Sequence, residues 1–219
     1  ADVSGGAIAH VEALTLSSGA SVRLSAAQNQ GFTGTVIAPG TGVNGEDITI
    51  VGDGAMTTLA QVENYVIDDD SSNTRTVTIS SADTNVTAPS STDAVTFIVG
   101  ALTYTGAITG ESTVDDTLSL DNGADVSGGM IANVEALTLS SGASVRLSAA
   151  QNQGFTGAIT APGTGMGGET IAVSGDGALT TLANVENYAI EDDSTDARTV
   201  TLTQANTNVT ANSVTDAIT

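Results

Sequence analysis

Residues Val11–Gly34 read VEALTLSSGASVRLSAAQNQGFTG, and residues Val134–Gly157 repeat them without a change. Inside this stretch Leu14-Thr15-Leu16 puts two aliphatics on one side of an extended chain and a hydroxyl on the other, and Ser17-Ser18-Gly19 then ends it. The same shape recurs at Ile48-Thr49-Ile50, Val77-Thr78-Ile79, Val95-Thr96-Phe97 and Leu118-Ser119-Leu120, with turns at Gly52-Asp53-Gly54, Asp68-Asp69-Asp70 and Asp121-Asn122-Gly123. Period-two alternation of this kind predicts strands with one face buried and one wet. Helix is expected only as a single turn at Ser25–Gln30 and its copy at 148–153.

The repeat is much larger than the quoted segment. Residues 1–96 return at 124–219 with a constant shift of 123, and about three quarters of the positions are identical. This divides the chain into a first unit, 1–123, completed by 97–123, and a truncated second unit, 124–219. Differences between the copies keep side-chain volume where a packed interior needs it, as in Val36/Ile159, Ile50/Val173, Met56/Leu179, Ile79/Leu202 and Val95/Ile218. The partner of Thr219 is Thr96, inside an alternating strand, so the native polypeptide is expected to continue on both sides with more units.

Strands at Leu16, Ile50, Ile67, Ile79, Val99, Leu120 and Leu139 follow one another mostly at the length of a coil in a parallel β-solenoid, with one double and one short step. Small aliphatics suit a narrow bore, and the only aromatics are Phe32, Phe97, Phe155, Tyr65, Tyr104 and Tyr188. The expected fold is therefore all-β, a parallel β-solenoid of stacked coils. A string of β-sandwich domains is the alternative, since its turns would fall at similar spacing.

Composition excludes several partners. The 219 residues carry a net charge of -21 from 25 acidic side chains, opposed only by Arg23, Arg75, Arg146 and Arg198. Nothing neutralises phosphates, so nucleic acid and anionic membrane surfaces are not expected partners. No run reaches the ~18 apolar residues that span a bilayer. With no cysteine, disulfides and thiolate metal sites are out. A hard divalent cation fits the charge, and calcium ligands are expected at acidic strand ends: Asp68, Asp69 and Asp70, matched by Glu191, Asp192 and Asp193; Asp115 and Asp116 with Asp121; and Asp53 with Asp176. The competing reading is that Asp beside Gly builds turns.

Thr164-Gly165-Met166-Gly167-Gly168-Glu169-Thr170-Ile171 resembles the glycine-rich nonapeptide of the RTX calcium-binding family, with Gly165, Gly167, Glu169 and Ile171 in register and Glu in place of Asp. The wider pattern of long tandem units with NVEALTLSSGASV and LSAAQ is similar to that of large bacterial surface proteins: surface-layer proteins, giant RTX-type adhesins and their solenoid relatives. This resemblance implies a secreted, cell-surface location, assembly or adhesion, and calcium dependence. The expected partners are neighbouring units or copies of the chain, and a glycan or cell-surface polysaccharide.

Catalysis finds little material. The single histidine, His10, is Asn133 in the other copy, and no Lys or Cys nucleophile exists. Parallel β-helices can carry polysaccharide-cleaving carboxylates, but duplicated acidic turns read as structural, and no enzyme is expected. The arginines are expected to pair with carboxylates or to meet an acidic glycan. Outward Thr15, Thr49, Thr78, Thr96 and Thr138 would suit an ice-binding face, against which the uneven strand spacing argues.

Overall fold

The computed structural model describes residues 1–41, 45–68, 73–89, 93–191 and 198–211. The first unit runs β1 (Leu14–Thr15), β2 (Ser21–Ser25), helix α1 (Ala26–Gly31), β3 (Val36–Ile37), β4 (Asp47–Val51), β5 (Ala55–Thr57), β6 (Asn64–Asp68), β7 (Arg75–Ile79), β8 (Asn85–Thr87), β9 (Val95–Val99), β10 (Ala107–Thr109) and β11 (Thr117–Leu120). The second continues with β12 (Met130–Ala132), β13 (Ala136–Leu139), β14 (Ser144–Ser148), α2 (Ala149–Gly154), β15 (Ile159–Thr160), β16 (Thr170–Ser174), β17 (Leu179–Thr180), β18 (Asn187–Ile190), β19 (Val200–Thr201) and β20 (Asn208–Ala211).

Each strand pairs in parallel with the strand one coil away, as an alternating chain must when it winds in one sense and stacks on itself. One side of the stack is the column β2-β4-β6-β8-β10-β12, and a second side is β5-β7-β9-β11-β13-β15. The fold is the expected parallel β-solenoid, of about nine turns. Coil length varies: Asp47 pairs with Asn64, 17 residues on, whereas Ser21 pairs with Asp47, 26 residues on. Strand register is kept because the extra residues go into the corners and into α1. The short sequence step from Ile67 to Ile79 crosses a corner. Ile67 lies in β6 on the first side and Ile79 in β7 on the second, so the step changes side and not coil.

A third side is narrow in the first unit. The Thr84 hydroxyl donates to Val62 O at 3.3 Å, Thr105 N donates to Ala82 O at 2.7 Å, and Thr103, Asp125 and Arg146 of β14 follow as single parallel bridges. There the third side widens into β14-β16-β18-β20. The strands β2 and β14 have the same sequence, SVRLS, yet β2 begins the first side and β14 stands on the third. From β2 the first side is climbed five steps to β12; passing β13 and β14 adds two of three sides. One unit is therefore about five and two-thirds turns. Structural roles shift round the stack by one side per unit.

The interior follows the alternation. Ile48, Ile50, Ile67, Val77, Val86, Val95, Phe97, Ile108, Leu118, Leu120, Leu147, Ile171 and Val173 are fully or almost fully buried and form one continuous cluster through both units. The bore is not filled by small aliphatics alone. Tyr65, Tyr104, Tyr188, Arg75 and Arg198 are also enclosed. No helix among the described residues is long and apolar enough to cross a membrane.

Candidate functional site

The corners of the stack hold most of its buried polar chemistry. Each helix is opened by a capping box: Ser25 accepts from Gln28 N at 3.2 Å while Gln28 Oε1 accepts from Ser25 N at 2.8 Å, and Ser148 and Gln151 do the same. The amide of the capping glutamine then reaches down. Gln151 Nε2 donates to Val126 O at 2.6 Å and to Gly129 O at 2.9 Å, and Gln28 repeats this on Val3 and Gly6. The next residue reaches up. Asn152 Nδ2 donates to Thr180 O at 2.9 Å, and its Oδ1 accepts from the Tyr188 hydroxyl at 3.2 Å, which itself accepts from Leu182 N at 2.7 Å. Asn29, Thr57, Tyr65 and Leu59 form the same set. A six-residue helix thus latches the coil beneath to the coil above. Burial pushes the phenols of Tyr65, Tyr104 and Tyr188 well above their usual range.

Carboxylates also turn inward. Glu46 is fully buried and both its oxygens accept from Gly40 N, at 2.8 and 3.0 Å; Glu169 accepts in the same way from Gly163 N and also from Gly142 N. A Cβ on Gly40 would lie 2.7 Å from Glu46 Oε2, so the glycine is required for this approach. Stacked one coil on are Glu63 and Glu186, whose Oε2 atoms are buried without a hydrogen-bond partner. Burial, then the neighbouring Glu46 or Glu169, pushes both carboxyls up. Asp116 is buried too, accepting from Val95 N and Glu111 N, each at 2.7 Å, and burial outweighs these bonds and raises it.

Among the described residues the expected calcium ligands do not converge. Asp68 pairs with Arg23 and Glu191 with Arg146. Arg146 also meets Asp125 at 3.4 Å and Ser127 Oγ at 2.9 Å, so one guanidinium ties several coils together. Asp69, Asp70, Asp192 and Asp193 lie outside the described residues. Asp115 is exposed whereas its neighbour Asp116 points inward; Asp121 accepts from Ser140 Oγ at 2.6 Å, Asp53 accepts from Asn73 Nδ2 at 2.7 Å, and Asp176 stands in an exposed turn. Among the described residues no three carboxylates or imidazoles gather as a cation site. In the nonapeptide-like segment Glu169 faces backbone amides within the corner, and Gly165–Gly167 forms a single 3-10 turn.

Arg23 and Arg146 pair as anticipated. Arg75 and Arg198 are buried, and among their bonds Arg75 Nη1 donates to Ile50 O at 3.4 Å and Arg198 Nη1 to Val173 O at 3.3 Å. His10 and Asn133 share a left-handed backbone at φ 60° and 51°, so the position is a tight turn that asparagine suits better than histidine. In the Asn85-Val86-Thr87 sequon, the Asn85 amide donates to Asn64 Oδ1 at 2.9 Å in an asparagine ladder.

The outward face of the second side carries two files of side chains. Thr76, Thr96 and Thr117 stand in one, and Thr57, Thr78, Ile98, Ser119, Thr138 and Thr160 in the other. Uneven coil length does not disturb them, because it is absorbed at the corners. Thr15 and Thr49 lie elsewhere, in β1 and on the first side. Stacked coils, latching helices and an interior continuous across the unit boundary define a β-solenoid of tandem units. Comparison with protein-family models, curated proteins and solved structures finds no match to this chain.

Proposed function

We propose that the chain is a structural spacer, a stiff acidic rod segment of a bacterial surface assembly. The observation that supports this reading most is the unbroken boundary between units. Residues 124–139 pair with the coil before them by the same ladder that joins coils within a unit, including Thr117–Leu120 on Ala136–Leu139. Length can then be added without a hinge, which is what a spacer needs. Calcium enters the reading through acidic turns such as those at Asp53, Asp115, Asp121 and Asp176. Equal melting in chelator and in millimolar calcium removes the metal from it. Surface placement is tested with an antibody raised against the folded chain: binding to intact cells of the source supports the reading, and binding only after lysis contradicts it.

The register of Thr76, Thr96 and Thr117 favours one second reading, a flat hydroxyl-and-methyl face that binds ice. Neighbouring residues in such a file stand about 4.8 Å apart. Inhibition of ice recrystallisation, lost on replacing Thr96 and Thr117 by Lys, supports it. No inhibition by the intact chain discards it.

A further inference from the structure

The end of the stack at Ala1 has an open ladder edge, and the second unit shows what fits it. Residues 1–17 and 124–140 differ only at Ala7/Met130 and His10/Asn133. Their surroundings differ far more. Val126 is 0% exposed and Val134 4%, whereas their counterparts Val3 and Val11 are 38% and 48% exposed. Ala124 and Ala136 are buried, but Ala1 and Ala13 are open. Since the sequences match, the difference lies in what stands beneath.

Beneath the second copy is the coil that completes the first unit. Asp125 N donates to Leu102 O at 3.0 Å, Met130 N to Gly106 O at 2.9 Å, Ala136 N to Asp116 O at 2.9 Å and Ser140 N to Leu120 O at 3.1 Å. In return Asp125 O accepts from Tyr104 N at 2.7 Å and Ala132 O from Gly110 N at 2.9 Å. The enclosed Tyr104 ring needs a glycine above it: a Cβ on Gly129 would lie 2.8 Å from Tyr104 Cδ1 and 3.0 Å from Gly106 O. Gly6 is the counterpart of Gly129. A Cβ on Gly6 meets nothing closer than Val3 O at 3.3 Å.

We propose that the edge formed by Asp2, Val3, Ile8, Val11 and Ala13–Leu16 is a docking surface for one partner, a coil of the sequence 97–123 presented by another unit of this repeat. The inference rests on the structural reading above and names its joint. Backbone amides of Asp2, Ala7, Ala13 and Ser17 would take the bonds made by Asp125, Met130, Ala136 and Ser140, and an incoming tyrosine would lie on Gly6. A second copy of the whole folded chain does not supply this partner internally, because its own coil 97–123 is already covered by its residues 124–140.

The test uses the full chain and a version extended at Ala1 by another copy of residues 1–123, joined as Gly123 joins Ala124. Hydrogen exchange is read at the amides of Asp2, Ala7, Ala13 and Ser17. On extension, exchange there is expected to slow at least about 100-fold and to approach that of Asp125, Met130, Ala136 and Ser140. Placing Gly6→Ala at the joint should reverse the slowing while exchange at 124–140 stays unchanged. Unaltered exchange on extension overturns the docking proposal. If the amides at 125–140 of the unextended chain are themselves unprotected, the stacked-coil reading fails first, and the two failures are told apart within one data set.

Discussion

Replacing Asn152 by alanine probes the latch between coils at one buried atom group. The side chain is fully enclosed, and its loss removes the bond to Thr180 O at 2.9 Å and the acceptor for the Tyr188 hydroxyl at 3.2 Å. The buried Tyr188 hydroxyl proton is then left without a partner, and the partly buried Thr180 carbonyl loses its side-chain bond. With about 1 kcal/mol for each net bond and about 1–3 kcal/mol for stranding a buried polar group, the expected loss is roughly 2–4 kcal/mol. Gln153→Ala is the control, since Gln153 bonds Ala178 O at 3.0 Å in an exposed setting and should cost about 0.5 kcal/mol or less. Urea unfolding followed by far-UV circular dichroism gives both values. Because coils contact only their neighbours, hydrogen exchange should speed around β17 and β18 while β5 and β6, held by the intact Asn29, are unchanged. Combining Asn152→Ala with Tyr188→Phe should cost less than the sum of the two, by on the order of 1 kcal/mol. A loss no larger than that of Gln153→Ala would refute the latch.

Other expectations follow from the same structure. Leu147→Ala empties a fully buried site in the bore and should cost about 3–5 kcal/mol in the same unfolding assay. His10→Asn and Gln61→Asn place at φ 60° and 83° the residue already found at Asn133 and Asn184, and each should stabilise by a few tenths of a kcal/mol; a loss of stability contradicts the turn argument. Carboxyls of Glu63, Glu186 and Asp116 are raised in the folded state, so folding holds extra protons between their unfolded and folded values. Their contribution is full below the unfolded carboxyl range near pH ~4 and is lost as pH rises through the folded values, so melting temperature should rise as pH is lowered from 7 toward 5. The three raised phenols act in the same sense at the other end: stability should fall as pH climbs past ~10, where the unfolded phenols ionise and the buried ones do not.

Much of this fold was legible in the sequence because alternation survives in the long strands such as β4, β6, β7 and β9. Leu14-Thr15-Leu16 and its relatives named the strands, and the quoted repeat implied stacking. The single helical turn at Ser25–Gln30 became α1, capped by Ser25 as its spacing with Gln28 requires. The division of strands among three sides was not legible. A step in sequence length does not say whether the chain has turned a corner or closed a coil, as Ile67 and Ile79 show. The inward charged residues did carry a signal. Arg75 shares parity with Val77 and Ile79, Asp116 with Leu118 and Leu120, Glu46 with Ile48 and Ile50, and Glu186 with Tyr188 and Ile190. Charge by itself points outward, so in these strands parity is the better guide to direction: both Asp116 oxygens accept from backbone amides inside the stack. The interior tyrosines were missed because small aliphatics dominate the count, although Tyr65 and Tyr188 stand at inward positions of their strands.

In the proposed rod, units join as one continuous stack, each adding about five and two-thirds turns. At about 4.8 Å per turn, a unit lengthens the rod by roughly 27 Å. Small-angle X-ray scattering on arrays of two, three and four units measures this increment directly. A constant step near ~27 Å with an unchanged cross-section is predicted. A step near ~35 Å, the width of a compact domain of this size, together with bending between units, would contradict it.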